Sequence, residues 1–333
     1  MLNPNLKLNQ KLFEADVEVK PTRAGYGEGL LVLGEKNPNV VALCADLTES
    51  TYAHLFAEKF PERFFQVGVA EQNMAAIAAG LAVSGKTAFI SSYATFSPGK
   101  NWETIRTTIV YNQTNVKIAG HHAGIMTGPD GATHQATEDI ASVRSWPNVK
   151  ILIPCDSVEG KKATIAAGET YGPFYLRYSR DKTPIMTTDQ TPFEIGKIQT
   201  FWITEKPVTT ILAMGYMLHY ALLAAKELEA EGIQVLVTNV STIKPLDGKT
   251  ILSLAKQTGA FVTVEDHQVM GGLGGTIAEF CAKNIPTPME FIGLQDTFAE
   301  SGKPKELVEK YGMGKDSIKE AVKKVIKRKN SKS

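Results

Sequence analysis

A short, largely apolar segment ending at Gly68 gives way to a carboxylate at Glu71 and then to an Ala-rich helical stretch running to Gly80. A strand that hands over to a helix N-terminus in so few residues belongs to an α/β sheet, and in open sheets of that kind ligands bind in the crevice beyond the strand ends. Glu71 stands at that edge as a candidate acid for handling a proton. Taken alone, a carboxylate in a first helical turn is explained as simply by its attraction to the positive helix end.

The surrounding chain repeats the same alternation. Apolar strand-like runs are expected at 40–44, near 65, at 86–91, 116–120, 149–154 and 174–178. Between them lie helical patterns: 23–36 after a Thr22 cap, 52–59, the Glu71 helix, 101–112, and a helix capped by Asp156. Residues 181–196 lose periodicity and carry Pro184 and Pro192 among Thr and Asp, as a linker would. A second alternation follows, with strands at 208–214, 234–239, 260–265 and 289–292. The pattern predicts an α/β protein of two domains, each a mainly parallel sheet covered by helices. We place an N-terminal extension at 1–20, the first domain at 21–187, a linker at 188–200 and the second domain at 201–330.

Composition removes several alternatives. A net charge of +1 provides no field to gather nucleic acid or an anionic membrane. Three cysteines, Cys44, Cys155 and Cys281, are widely spaced and read as buried apolar residues in a reducing compartment. Residues 1–20 lack the apolar run of a signal peptide, and no stretch of eighteen apolar residues occurs, so a cytoplasmic protein without a membrane span is expected. The basic residues of 315–333 fall on an amphipathic pattern around Ile318, Val322 and Ile326, which reads as a solvated last helix.

Three further groups carry possible chemistry. Tyr93 and Phe96 follow a strand and could stack on a flat heterocycle, although rim packing is the commoner use of such a pair. The Gly-rich loop from His121 to His134 holds three of the six histidines (His121, His122 and His134) together with Asp130. Its spacing matches no usual zinc pattern. Binding a polyhydroxylated or phosphorylated substrate, with imidazoles exchanging protons near neutral pH, fits better. Arg23, Arg177 and Arg180 lie at strand or helix ends, where they could grip a phosphate.

At these residues the sequence resembles the C-terminal half of transketolase, from about Arg23 to Ile326. The matching stretches are Gly68-Val-Ala-Glu71-Gln-Asn-Met74, Ala45-Asp46-Leu-Thr-Glu-Ser50, Asp130-Gly-Ala-Thr-His134-Gln135, Ser145-Trp-Pro-Asn148, and Val264-Glu-Asp-His267 followed by Gly271-Gly-Leu-Gly-Gly275. The resemblance implies a pyrimidine-binding fold, then a transketolase C-terminal domain, with thiamine diphosphate as cofactor. It gives Glu71 the role of hydrogen-bonding N1′ of the aminopyrimidine, and Tyr93 and Phe96 that of the aromatic pocket around it. The position of the family's third pocket aromatic falls near Gly99. Asp46 resembles a residue near the cofactor at the subunit interface. Asp130 and His134 resemble the residues that meet the donor's hydroxyls, His134 with a catalytic part. Arg23, Ser50, His122 and Arg180 resemble the cluster that holds the sugar phosphate.

The implied reaction moves a two-carbon ketol unit from a ketose phosphate such as xylulose 5-phosphate to an aldose phosphate such as ribose 5-phosphate, as in the pentose phosphate pathway. The family binds the diphosphate and its Mg2+ (or Ca2+) through a Gly-Asp-Gly motif followed later by Asn, and no Gly-Asp-Gly occurs here. The resemblance therefore implies a separate N-terminal subunit that holds the metal, an α2β2 assembly, and self-association through the family's interface. Three readings stay open beside it: a deoxyxylulose-phosphate synthase-like enzyme, a 2-oxoacid dehydrogenase β-like chain, and a catalytically silent partner subunit.

Overall fold

The computed structural model describes residues 1–331; the last two residues of the basic C-terminal segment lie outside the described residues. In chain order the strands are β1 (Val19–Pro21), β2 (Val40–Cys44), β3 (Phe64–Gln66), β4 (Thr87–Tyr93), β5 (Val116–His121), β6 (Lys150–Leu152) and β7 (Phe174–Arg177). They continue with β8 (Lys182–Pro184), β9 (Gln199–Trp202), β10 (Thr209–Ala213), β11 (Val235–Asn239), β12 (Thr242–Lys244), β13 (Phe261–Gln268) and β14 (Met289–Leu294). A seven-stranded sheet has the order β12-β6-β7-β5-β4-β2-β3, and a five-stranded sheet has the order β14-β13-β10-β11-β9. Each is parallel except at one edge, where β12 runs antiparallel to β6 and β9 antiparallel to β11.

The parallel strands need cover on both faces, and their sequences supply it. Every residue of β2 is buried. Val40 and Ala42 pack with Tyr26, Leu30 and Phe56, whereas Val41 and Leu43 pack with Met74, Ala78 and Ile109. The chain is thus an α/β protein with two mainly parallel sheets covered by helices, as the alternation predicts.

One face of the larger sheet is covered by the helices Thr22–Lys36 and Ser157–Glu169, which lie unusually close. The first carries glycines at 25, 27, 29 and 34, a composition that weakens an isolated helix. Close approach explains it: a Cβ at Gly25 would stand 1.9 Å from the Ser157 carbonyl oxygen and 2.7 Å from the Lys161 nitrogen. Both are backbone atoms and cannot swing aside. Gly25→Ala is expected to cost about 2 kcal/mol, read as a lower denaturant midpoint; an unchanged midpoint would mean that the helices separate freely.

Three features depart from the sequence reading. The expected helix at 101–112 begins earlier and is irregular, with π-type turns at Thr95–Lys100 and Ile105–Val110 around a single α turn, Trp102–Thr104. Residues 182–184 of the supposedly aperiodic stretch form β8, paired antiparallel with β1. The N-terminal residues are packed down, with Leu8 and Leu12 buried beside Phe201 and Trp202, and Asn9 Nδ2 donating to Ile185 O at 2.7 Å. The last helix, Lys315–Asn330, buries Ile318, Val322 and Val325 and pairs Lys319 and Lys323 with Glu231. Among the described residues, no helix is long and apolar enough to cross a membrane.

Candidate active site

Connections leave β2 toward the sheet edge at β3, and leave β4 the other way toward β5. The carboxyl ends of β2 and β4 therefore flank a topological switch point, where a crevice opens in doubly wound sheets. Asp46 follows β2, Tyr93 ends β4, and the His121 loop leaves β5. Two of these residues are backbone outliers: Asp46 has φ 61° and His122 φ 53°, left-handed values uncommon outside glycine. Such conformations gather at functional sites.

Glu71 opens the helix Glu71–Val83 and is 1% exposed. Its Oε2 accepts a hydrogen bond from Lys100 Nζ at 2.8 Å, while its main-chain oxygen accepts one from Asn101 Nδ2 at 3.0 Å. Asn101 Nδ2 also donates to Ser97 Oγ, so the turn after β4 is tied to the start of the Glu71 helix. Lys100 was not legible as a partner. Its only sequence signal is its place one residue beyond Gly99 in the irregular turn.

The rings converge. Tyr93 and Phe96 lie 6.0 Å apart and nearly parallel, at 17°. His122 stacks on Tyr93 at 3.7 Å, and His134 meets Phe96 edge-on at 5.4 Å. Thr133 Oγ1 and His134 Nδ1 share a hydrogen bond at 2.8 Å. His122 Nδ1 is buried without a hydrogen-bond partner among the described residues. Burial, followed by the charge of Arg23, pushes the His122 imidazolium down to about 2. The expectation that these imidazoles exchange protons near neutrality is therefore corrected for His122, and for His121, which full burial also holds neutral. Each offers a ring nitrogen, not a charge.

The arginines divide. Arg23 Nη1 donates to Ser50 O and its Nε to Arg180 O at 3.1 Å, and its guanidinium lies 5.4 Å from the Tyr52 ring centre. Burial, with Arg180 adding to it, lowers the Arg23 pKa, so an anion between the two would be welcome. Arg180 Nη1 donates to Thr127 O at 3.2 Å. Arg177 does not join them. It is buried and spent on Asp139, with Nε to Oδ2 at 2.8 Å, and on Ala136 O and Asp266 O. The expectation of a phosphate grip at Arg177 is corrected, because every side of its guanidinium that faces an acceptor is already used.

Asp46 and Asp130 are exposed and make no hydrogen bond or ion pair with the other candidates among the described residues. Asp46 is held through its main-chain N–H, which donates to Gln66 Oε1 at 2.7 Å. Asp130 sits on a loop suspended from the second sheet: Ile125 N donates to Asp266 Oδ1 at 3.0 Å, and Gln135 Nε2 to Glu300 O at 3.0 Å. The glycines 271–275 fold around an internal carboxyl, which burial pushes up to about 8. Leu273 N and Gly274 N donate to the two carboxyl oxygens of Glu265 at 2.7 and 2.8 Å. No cluster of three or more His, Cys, Asp or Glu side chains suited to a metal occurs among the described residues.

Both halves of the chain match known family models. Residues 19–186 match the transketolase pyrimidine-binding domain, and residues 202–318 match the transketolase C-terminal domain. A chain of Methanocaldococcus jannaschii described as "Putative transketolase C-terminal section" is 44% identical over 302 residues, covering 90% of this chain and 94% of that relative. A 6-deoxy-6-sulfo-D-fructose transketolase subunit of Clostridium sp. is 36% identical over 318 residues, covering 96% and 98%. A solved structure described as "Split gene transketolase, inactive beta4 tetramer" superposes with a TM-score of 0.86 at 42% identity, covering 92% of this chain and 98% of that one. The chain spans about half of some longer relatives, 49% of human transketolase. It belongs to the transketolase family, whose members use thiamine diphosphate, and it carries that family's pyrimidine-binding and C-terminal domains.

Proposed function

We propose that this chain is the C-terminal subunit of a split transketolase, moving a two-carbon ketol unit from a ketose phosphate such as xylulose 5-phosphate to an aldose phosphate such as ribose 5-phosphate. The observation that carries the reading is the convergence of a buried carboxylate, a ring cluster and a pair of arginines around one switch point. The donor set fits an aminopyrimidine: Glu71 is a buried acid, and Tyr93 and Phe96 present nearly parallel faces. When bound, thiamine diphosphate supplies the nucleophilic carbon of its thiazolium ring.

The chain's own residues then have distinct tasks. Glu71 shares a proton at N1′ of the pyrimidine through the carboxyl oxygen that Lys100 leaves unengaged. Tyr93 and Phe96 hold the ring flat, and Asp46 lines the cofactor side of the crevice. His134 and Asp130 meet hydroxyls of the sugar, and His134 passes a proton. Arg23, Arg180, Ser50 and neutral His122 hold the phosphate. Mg2+ and the diphosphate fall to a separate N-terminal subunit in an α2β2 assembly. The relative described as an inactive β4 tetramer supports a site that one kind of chain does not complete. The sugar named for the Clostridium relative leaves room for a different ketose.

Ketol transfer should be assayed after mixing the chain with a transketolase N-terminal subunit, thiamine diphosphate and Mg2+. Transfer is expected only in the mixture. Its absence with every ketose phosphate tried, alongside a formed complex, would favour a silent subunit; decarboxylation of a 2-oxo acid would favour a different thiamine enzyme. Arg180→Ala should raise KM for phosphorylated sugars about 10- to 100-fold with kcat little changed, since a charge-assisted contact contributes about 1.5–3 kcal/mol. An equal loss with unphosphorylated sugars would remove Arg180 from the phosphate.

A further inference from the structure

A cavity of about 340 Å³ lies between the β1–β8 pair and the helices Met217–Ala230 and Pro304–Lys310, away from the crevice just described. Its apolar walls are Met126, Tyr216, Tyr220 and Leu223. Tyr216 and Tyr220 meet edge-on at 6.5 Å, and His219 meets Tyr220 edge-on at 5.9 Å, a geometry that leaves ring faces available to a flat guest. The size falls within the range of small-molecule sites.

One polar group inside the cavity wall lacks a partner. Buried His219 Nδ1 has no hydrogen-bond partner among the described residues, whereas the hydroxyl of Tyr216, a residue 5% exposed, is directed to Asp266. Burial, with the charge of Lys305 adding to it, pushes the His219 imidazolium down to about 4, so its ring is neutral and can donate or accept. Leaving such a nitrogen dry and unpaired is costly, and a guest carrying a hydroxyl would satisfy it.

The rim is charged and of mixed sign. Lys182 and Lys305 line it and form no ion pair among the described residues, and Asp181 and Glu309 line it likewise. Asp181 stands beside Lys182, and Lys305 lies one helical turn from Glu309, so both signs of charge occur side by side at the mouth, with Lys315 adding a third lysine. A simple carboxylate would meet the acids and a simple amine the lysines. A zwitterion suits both, with its ammonium toward the acids and the tyrosine faces.

We propose that this cavity is a second ligand site, built for an aromatic α-amino acid whose head sits at the charged rim and whose ring enters between Tyr216, Tyr220 and Met126. A ring hydroxyl would reach His219. The site touches the candidate active site mechanically. Met126 belongs to the loop that carries Asp130 and His134, and Asp181 follows Arg180. Tyr216 neighbours Asp266, whose Oδ1 suspends that loop. An occupant therefore stiffens the substrate loop.

Calorimetric titration of the full chain with L-tyrosine tests this directly, with tyramine and 3-(4-hydroxyphenyl)propionate as single-charge comparators. L-tyrosine is expected to bind with Kd near or below about 1 mM, and each comparator at least about fivefold more weakly. Leu223→Trp fills the cavity and should abolish binding. His219→Phe keeps a ring in the wall, and should weaken L-tyrosine severalfold while leaving L-phenylalanine unchanged. Thermal melts of both variants show whether they fold. No binding of L-tyrosine to the parent chain, comparators that bind equally well, or binding untouched by both folded variants overturns the proposal.

Discussion

Glu71→Gln is expected to lower kcat of the assembled complex by about 10³-fold, within the span usual for loss of a proton-sharing group, while the fold stays intact. The amide keeps the size of the carboxylate and can still accept a hydrogen bond from Lys100. The main-chain oxygen of residue 71 keeps its bond from Asn101, so the turn after β4 and the helix start remain tied together. Lys100 is 43% exposed and regains water readily where its pairing weakens. What is lost is the buried negative charge that can share a proton with the pyrimidine, an effect felt in the reaction and not in the packing. Circular dichroism and the thermal midpoint should match the parent, and the N-terminal subunit should still bind. A variant with near-parental kcat would remove Glu71 from its role and leave it as a first-turn acid that merely favours the positive helix end.

How much of this was legible follows from which residues speak locally. Glu71 and Tyr93 sit where a strand gives way to a helix or a turn, and that change of period shows in a few neighbouring residues. The whole β2–β4 switch follows from such hand-overs, each read without knowledge of the others. Arg177 did not speak locally: its place at a strand end is the same as that of Arg180, and only the fold shows that Asp139, thirty-eight residues away, has consumed it. Lys100 is likewise silent until the turn after β4 folds back on Glu71. Edge strands β9 and β12 were missed because pieces of three and four residues are shorter than any periodicity test, and their partners lie distant in sequence. The 271–275 glycines close on the carboxyl of Glu265, a contact that no local pattern announces.

Arg177→Met should destabilise the chain by about 3–5 kcal/mol, the usual cost of stranding one member of a buried ion pair. Arg177 is 6% exposed and Asp139 4%. The guanidinium also donates to Asp266 O, so it staples the smaller sheet to the larger one beneath the loop that Asp266 suspends. The pH dependence carries the sharper test. In the parent chain burial works against ionisation of Asp139, but the charge and hydrogen bonds of Arg177 and the bond from Tyr175 outweigh it, holding its pKa below the ordinary value. A carboxyl lowered in that way adds stability above its unfolded-state pKa and loses it as pH falls through the folded value. Without Arg177, burial dominates and the carboxyl is raised instead. The sign then reverses: the variant loses stability as pH rises above the ordinary carboxylate range, and the gap between the two chains is wider at pH 8 than at pH 5. Adding Asp139→Asn to the variant removes the stranded charge, so it should recover part of the loss and flatten the difference. Denaturant midpoints of the two variants and the parent across that range decide the matter. Parallel curves for parent and Arg177→Met would show that Asp139 finds another partner, and that the staple between the sheets lies elsewhere.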